Sequence, residues 1–394
     1  MRLANMRLSK VTVVTLGMSL VATLSLAMAA SAVQRAFLTV DEVLRAEPLP
    51  SARAIGRVRA GDRVLAGERR GFWRSVETSQ SGSGWVRLSA LRVSNAAPAA
   101  GLAAVDTGRG AAGNVVLTSG TRGVPGRNAP LTRATLKAAR PDLAAAAKIS
   151  ASAIDPTARN RFVAEGGLQL RDVRLPLPVP TMPANSTKLA DPGAASSELA
   201  AILLGVAKPV SQAELQAYVT EVGQLLADRL GGPAQEWRFV VLDSPSVAAF
   251  ALPDGLIMIS RGFFELLESE DELAAVLARE MAHVYRQHHL RQLRTPIIDT
   301  YLRPLDPALD FIADEQGARL AARAGYDSSA LVTVFERVAA AAAQGADVEL
   351  LRATTPSIAD RIATLADAAS IDLEPAARVS AAATRITRYK KGKP

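Results

Sequence analysis

Residues 277–289 read LAREMAHVYRQHH. The pattern His-Glu-x-x-His puts two imidazoles four residues apart on one helix face. There they can hold Zn²⁺, while the glutamate serves as general base toward a metal-bound water. Glu280 and His283 stand at the second and last positions of such a pattern, but its first position is Arg279. A guanidinium is always charged, carries five N–H donors and has no lone pair to give a metal. At 100° per residue, the positions sharing the face of His283 are 279, 280, 286 and 287, which are Arg, Glu, Arg and Gln. An unbroken helix would turn His288 and His289 away from it. His283 is therefore expected to be a neutral, hydrogen-bonded core histidine. Glu280 is expected to pair with Arg279 or another cation rather than to act as a base. His288 and His289 are expected in solvent or one layer outside the site. A cleft shaped around a dication is lined by carboxylates, and a guanidinium can neutralise them through bidentate bonds. Arg279 is thus expected to replace the metal's charge, with Glu280 and Asp314 or Glu315 as partners.

The elements that carry these residues are legible from capping and periodicity. Ser269 and Glu272 form a capping box that opens the helix holding Arg279, Glu280 and His283. A second helix is predicted from Leu309 to Arg323, stopped by Gly325, and a third from Ser329 to Ala343. Upstream, Ser211 and Glu214 read as a capping box ahead of Leu215, Tyr218, Val219, Val222 and Leu226, apolar positions at helical spacing. Trp237–Leu242 and Leu256–Ser260 read as strands. Pro253-Asp254-Gly255 turns the chain from a preceding loop into the second.

Ahead of this helical body, residues 34–93 hold short alternating runs divided by Gly56, Gly61, Gly67, Gly71 and Gly84, the pattern of a small barrel. Residues 94–130 are rich in Ala, Gly, Ser and Asn, a flexible linker by composition. Weak helical patterns follow around Leu136 and Leu143, with no nameable chemistry. Leu175-Pro176-Leu177-Pro178-Val179-Pro180 and Pro183 then read as an extended spacer. The expected divisions are 1–32 as a signal peptide, 34–93 as the barrel, and 94–185 as linker, helical segment and spacer. Residues 186–370 form the main domain and 371–394 a basic tail.

Two resemblances follow from these landmarks. Val43-Leu44-Arg45-Ala46-Glu47-Pro48, Ile55-Gly56, Gly61-Asp62-Arg63-Val64, Gly71-Phe72-Trp73 and Gly84-Trp85-Val86 resemble a bacterial SH3-type domain. The resemblance implies an interaction module for cell-wall peptides or protein partners. Trp73 is expected partly exposed as a binding residue and Trp85 buried as core. Residues 211–362 resemble the zinc endopeptidases related to HtpX and the CAAX-prenyl proteases, nearest their soluble periplasmic branch. The residues that carry it are Leu215 to Val219, Val222-Gly223, Ala249 to Gly255, Ser260-Arg261-Gly262, Glu272 to Ala278, Ala324 to Asp327 and Pro356 through Ile362. The fold implied is α+β, a small all-β SH3-like barrel followed by a mainly helical zincin-like metallopeptidase domain with a small β-sheet. The resemblance implies zinc ligands at 279, 283 and on a downstream helix in a Glu-Ala-Asp-x-x-Gly pattern. Laid on Ile312-Ala313-Asp314-Glu315-Gln316-Gly317, that pattern puts Ile312 at the ligand glutamate and leaves His283 as the one matching ligand. Asp314, Glu315 and Arg361 are candidates for supporting the site.

Composition bounds the rest. Arg2, Arg7 and Lys10 precede an apolar run from Val11 to Ala30, and Ala30-Ser31-Ala32 offers a cleavage site, the layout of a secretory signal. Uncleaved, about 20 apolar residues would suffice as an anchor helix. The absence of cysteine excludes thiolate metal sites, disulfides and a lipid anchor on a cysteine after the signal. The formal charge of +8 falls to +5 without the three cations of residues 1–32. So mild and dispersed an excess gives no ground for specific nucleic-acid binding. The reading is an exported, periplasmic or secreted, metallopeptidase-like scaffold without a cofactor, which binds extended polypeptide by strand addition or docks a partner. The alternatives are an active endopeptidase that uses zinc through an unconventional ligand set, and a binding protein acting through its SH3-type module, at peptidoglycan or on protein.

Overall fold

The computed structural model describes residues 33–79, 81–93, 129–149, 155–175, 191–231, 235–290, 293–294, 296–346, 357–369 and 382–390. The expected signal at 1–32, most of the 94–130 linker, the proline spacer beyond Leu175, Pro356 and the last four residues lie outside them. The fold is mixed α+β, an N-terminal antiparallel sheet followed by a mainly helical body with a small sheet of its own.

Seven strands build the first sheet: β1 (Gln34–Leu38), β2 (Glu42–Arg45), β3 (Ala54–Val58), β4 (Arg63–Arg70), β5 (Trp73–Thr78), β6 (Gly82–Arg87) and β7 (Leu91–Val93). Their order is β3-β2-β6-β5-β4-β1-β7. The two end strands do not pair, so the expected barrel does not close. Alternation along the strands buries Ala36, Leu38, Leu44, Val64, Ala66, Val76 and Val86 in a core of their own. The expectation for the two tryptophans is reversed. Trp73 is 4% exposed, whereas Trp85 is half-buried with the Arg70 guanidinium 5.3 Å from its ring centre. The reason lies in the neighbours of Trp73. Phe72 belongs to the helical body's core, and Arg74 faces Glu336 of that body at 3.7 Å, so the chain on either side of Trp73 is packed against the helices.

In the helical body, α1 (Arg133–Lys137) and α2 (Leu143–Ala146) stand where the weak helical patterns around Leu136 and Leu143 placed a helical segment between linker and spacer, and α3 (Pro156–Gly166) follows them. They are packed in place. Leu131 and Leu136 share a core with Leu199, Leu203, Val240 and Met258, while Phe162 and Leu168 join the main core. Next come α4 (Pro192–Val206) and α5 (Ala213–Leu230). Contrary to the capping box expected at Ser211, the cap of α5 is Gln212, with no side-chain bond.

The small sheet consists of β8 (Arg238–Leu242), β9 (Ala249–Ala251) and β10 (Leu256–Ser260). β10 lies between the others, parallel to β8 and antiparallel to β9. The segment expected as a loop before the Pro253-Asp254-Gly255 turn therefore contains an edge strand.

The remaining helices are α6 (Arg261–Leu266), α7 (Glu270–Tyr285), α8 (Ile297–Tyr301), α9 (Pro307–Arg323), α10 (Ala330–Ala343), α11 (Ile358–Ala369), α12 (Ala382–Arg385) and α13 (Thr387–Lys390). Ser269 caps α7 by accepting from the Glu272 N–H, and three acids in its first turn complement the helix dipole. α7 runs through the middle of the body, and every residue from Leu273 to Val284 is buried. None of the described helices is long and apolar enough to cross a membrane.

Candidate functional site

The site forms where α7 meets α9. The two backbones approach closely at Gly317, where a Cβ would stand 2.8 Å from both the N and the Cα of Arg279. The absence of a side chain there lets α9 present Asp310 and Asp314, one helical turn apart on one face, to Arg279. The Arg279 guanidinium spends its donors on three carboxylates. Nε donates to Asp314 Oδ1 at 2.9 Å, Nη1 to Glu280 Oε1 at 2.5 Å and Nη2 to Asp310 Oδ1 at 2.6 Å. Arg361 of α11 closes the network from the other side, donating to Asp314 Oδ2 at 2.8 Å and Oδ1 at 2.5 Å. Its guanidinium lies 4.1 Å from the centre of the Phe335 ring. All five charged residues are at most 9% exposed.

Desolvation sets the titration of these groups. Burial works against the charge of Arg279, but Glu280, Asp314 and Asp310 overcome it and hold its pKa above the ordinary arginine value. Burial raises the Glu280 carboxyl, with Arg279 pulling the other way, and the same balance raises Asp310.

Sequence and structure part company at several of these positions. Ile312, laid on the ligand glutamate from sequence, is 39% exposed and faces away from the site. The carboxylate that faces His283 is Asp310, with Oδ1 3.7 Å from His283 Nε2. Its spacing from Asp314 was the available signal, since a residue four positions earlier shares a helix face and one two positions earlier does not. Glu315, a candidate partner of Arg279, instead pairs with Arg319 at 2.9 Å. Asp314, Arg361 and Glu280 meet at Arg279.

The three histidines, all that the chain contains, also come together. His283 Nδ1 lies 3.1 Å from His288 Nδ1, and the His283 and His289 rings are 5.4 Å apart. The continuous helix assumed from sequence ends at Tyr285. Gln287 adopts φ 56°, and the chain folds back through bonds from the Gln287 N–H to Val284 O and from the His288 N–H to His283 O. This left-handed closure of the helix returns His288 to a buried position beside His283. Burial, then the charge of Arg279, holds His283 well below the ordinary histidine range, and the same two causes lower His289 to about 4. His283 is therefore neutral at neutral pH.

A pocket opens above this cluster, lined by Arg279, Glu280, His283, His289, Asp310 and Tyr301, with Ala249 and Phe250 of β9 on one wall. His283 Nε2, His289 Nδ1 and Asp310 Oδ2 are buried there without a hydrogen-bond partner.

Zn²⁺ is the ion that the zinc-endopeptidase resemblance implies, and the residues present do not fit it. Glu280 and the α9 carboxylates, which would face a metal, are bonded to the guanidinium of Arg279. A dication beside that fixed cation would be repelled by several kcal/mol at about 4 Å. Among the described residues no three metal-ligating side chains are gathered as a site. Two ligand types, His283 and Asp310, nevertheless stand within 3.7 Å of one another.

Comparison with known proteins agrees with this architecture. Residues 213–303 match Peptidase family M48. Mitochondrial metalloendopeptidase OMA1 of Schizosaccharomyces pombe is 28% identical over 169 residues, covering 37% of this chain and 50% of that protein. The OMA1 of Arabidopsis thaliana is 30% identical over 124 residues, 26% of each chain. The beta-barrel assembly-enhancing protease of Escherichia coli K12 is 25% identical over 91 residues, 23% of this chain and 19% of that protein. The chain thus spans half or less of the length of these curated relatives, and it is metallopeptidase-like over residues 213–303, the stretch that holds Arg279, Glu280 and His283.

Proposed function

We propose that this chain is an exported pseudopeptidase, a metallopeptidase fold that binds polypeptide, or docks a partner, without hydrolysing it. One observation carries the reading: the Arg279 guanidinium stands at the metal-ligand position and is held by Glu280, Asp310 and Asp314. A general base in such a site needs an activated water, and Glu280 is engaged with Arg279 instead. What remains is a binding architecture. β9 is an edge strand whose Ala249 and Phe250 line the pocket, and an extended polypeptide can add to such an edge by main-chain hydrogen bonds.

Asp310 favours the second reading, active zinc-dependent proteolysis, more than the sequence did, because it supplies a carboxylate beside His283. Arg279 still opposes it. The reading that rests on the SH3-type module finds its expected binding residue, Trp73, buried.

The test uses the purified full chain with fluorescently labelled, unfolded casein. The expected result is saturable binding with no cleavage over hours, unchanged by Glu280→Gln and weakened by Ala249→Pro at the edge strand. Cleavage abolished by Glu280→Gln would overturn the proposal.

A further inference from the structure

The outer face of the N-terminal sheet bears groups that neither the sheet's own core nor the helical body uses. β1 and β4 pair in register so that Arg35 lies opposite Leu65 and Phe37 opposite Arg63. On the next strands Arg92 lies opposite Phe37, and Glu77 opposite Leu65. Phe37 is 41% exposed and Leu65 42%, well above what their buried neighbours Ala36, Val64 and Ala66 show. Arg35, Phe37, Arg63, Leu65 and Glu77 line one shallow groove. An aromatic and an aliphatic side chain are thus presented among three arginines, with Glu77 as the opposing charge. The body-facing residues Arg69, Phe72 and Arg74 lie toward the β4–β5 turn.

We infer that this face rests on an anionic lipid surface, with Phe37 and Leu65 entering the interface and Arg35, Arg63 and Arg92 meeting phosphate headgroups. Two observations select lipid over other anionic partners. An interfacial site combines exposed apolar groups with surrounding cations, as this face does, and anionic headgroups attract each of those cations. The face also begins at the right place in the chain. β1 starts at Gln34, four residues after the apolar run that ends at Ala30, and four residues span at most about 14 Å. Where that run is kept uncleaved as an anchor helix, the edge of the Phe37 face is held at headgroup depth.

Because the chain contains no cysteine, a single introduced thiol reports one place on the surface. Ser79, which lines the groove, is replaced by Cys in the full chain and labelled with an environment-sensitive fluorophore. Leu170→Cys, on the helical body, is the control. Both are reconstituted with vesicles of phosphatidylcholine alone or mixed with phosphatidylglycerol. The expected result is a blue shift at position 79 on the mixed vesicles only, reversed by high salt and absent in Phe37→Ser and in the Arg35→Glu/Arg63→Glu variant, with none at position 170. No shift at position 79 on mixed vesicles would overturn the inference, as would an equal shift on phosphatidylcholine alone. A shift produced by soluble polyglutamate but not by vesicles would assign the face to an acidic polypeptide instead and equally overturn it.

Discussion

Removing the guanidinium of Arg279 would leave Glu280, Asp310 and Asp314 buried with only Arg361 to balance them. Stranding one partner of a buried ion pair costs about 3–5 kcal/mol, so Arg279→Ala should lower stability in urea unfolding by that order. Arg279→Met should cost less, because the methionine keeps the packing of the aliphatic stem. Substitution of an exposed residue such as Arg63 should stay within about 0.5 kcal/mol. A near-neutral Arg279→Ala would show that the network contributes no stability. A second prediction concerns Asp271, in the first turn of α7. Burial raises its carboxyl to about 6, against the pull of a 2.9 Å bond from the Asp327 N–H. Between its ordinary value of 3.8 and about 6 the folded chain keeps this proton while the unfolded chain has lost it. Its contribution to stability must therefore fall as pH rises through that window. Stability measured against pH should show that decline in the native chain and a flatter curve in Asp271→Asn. At this scale the sequence was informative about chemistry and less so about position. That Arg279 opposes a metal follows from its residue type alone. That Asp310 rather than Ile312 faces it depends on helix phase, which a motif laid on two positions too late misreads.

The elements were legible where their ends carry local signals. Ser269 caps α7, and the Leu309–Arg323 periodicity lies within α9. The end of α7 was not legible, because the left-handed residue that closes it is a glutamine rather than the glycine or asparagine that usually marks such a position. That single residue decides whether His288 and His289 trail into solvent or fold back on His283. Gln287→Gly should relieve the backbone cost, about 1–2 kcal/mol, offset in part by the greater freedom of glycine in the unfolded chain, for a net gain of roughly 0.5 kcal/mol. Gln287→Val should destabilise and disturb the histidine cluster, visible as shifted imidazole resonances. Where α7 crosses α9, Gly317→Ala would drive a methyl into the Arg279 backbone at 2.8 Å. Overpacking of this kind costs about 1–3 kcal/mol, and no flexible side chain is available there to absorb it.

At the scale of the whole molecule, modules that composition divides by linkers are packed together. Arg69 of β4 donates to Glu336 of α10 at 3.2 Å and also to Thr333, and Phe72 is buried in the helical core. Contacts between residues so far apart in the chain leave no spacing signal, so docking was invisible in the sequence, whereas the glycine-divided strands and the helical periodicities were not. Calorimetry should accordingly show one cooperative transition for sheet and body together. Phe72→Ala should lower stability by about 3–5 kcal/mol, the usual loss for a buried aromatic, and divide the transition by loosening the seam. Two separate transitions in the unmodified chain would show the docking to be too weak to couple the parts.

The central claim, that a fixed cation has taken the place of the metal, is tested most directly by titrating zinc into the metal-free full chain and into Arg279→His, followed by calorimetry and metal content. The account predicts no stoichiometric zinc in the unmodified chain. It predicts one zinc per chain in the Arg279→His variant, where the introduced imidazole would join His283 and Asp310 without any change at Ile312. Tight, stoichiometric zinc on the unmodified chain would contradict it.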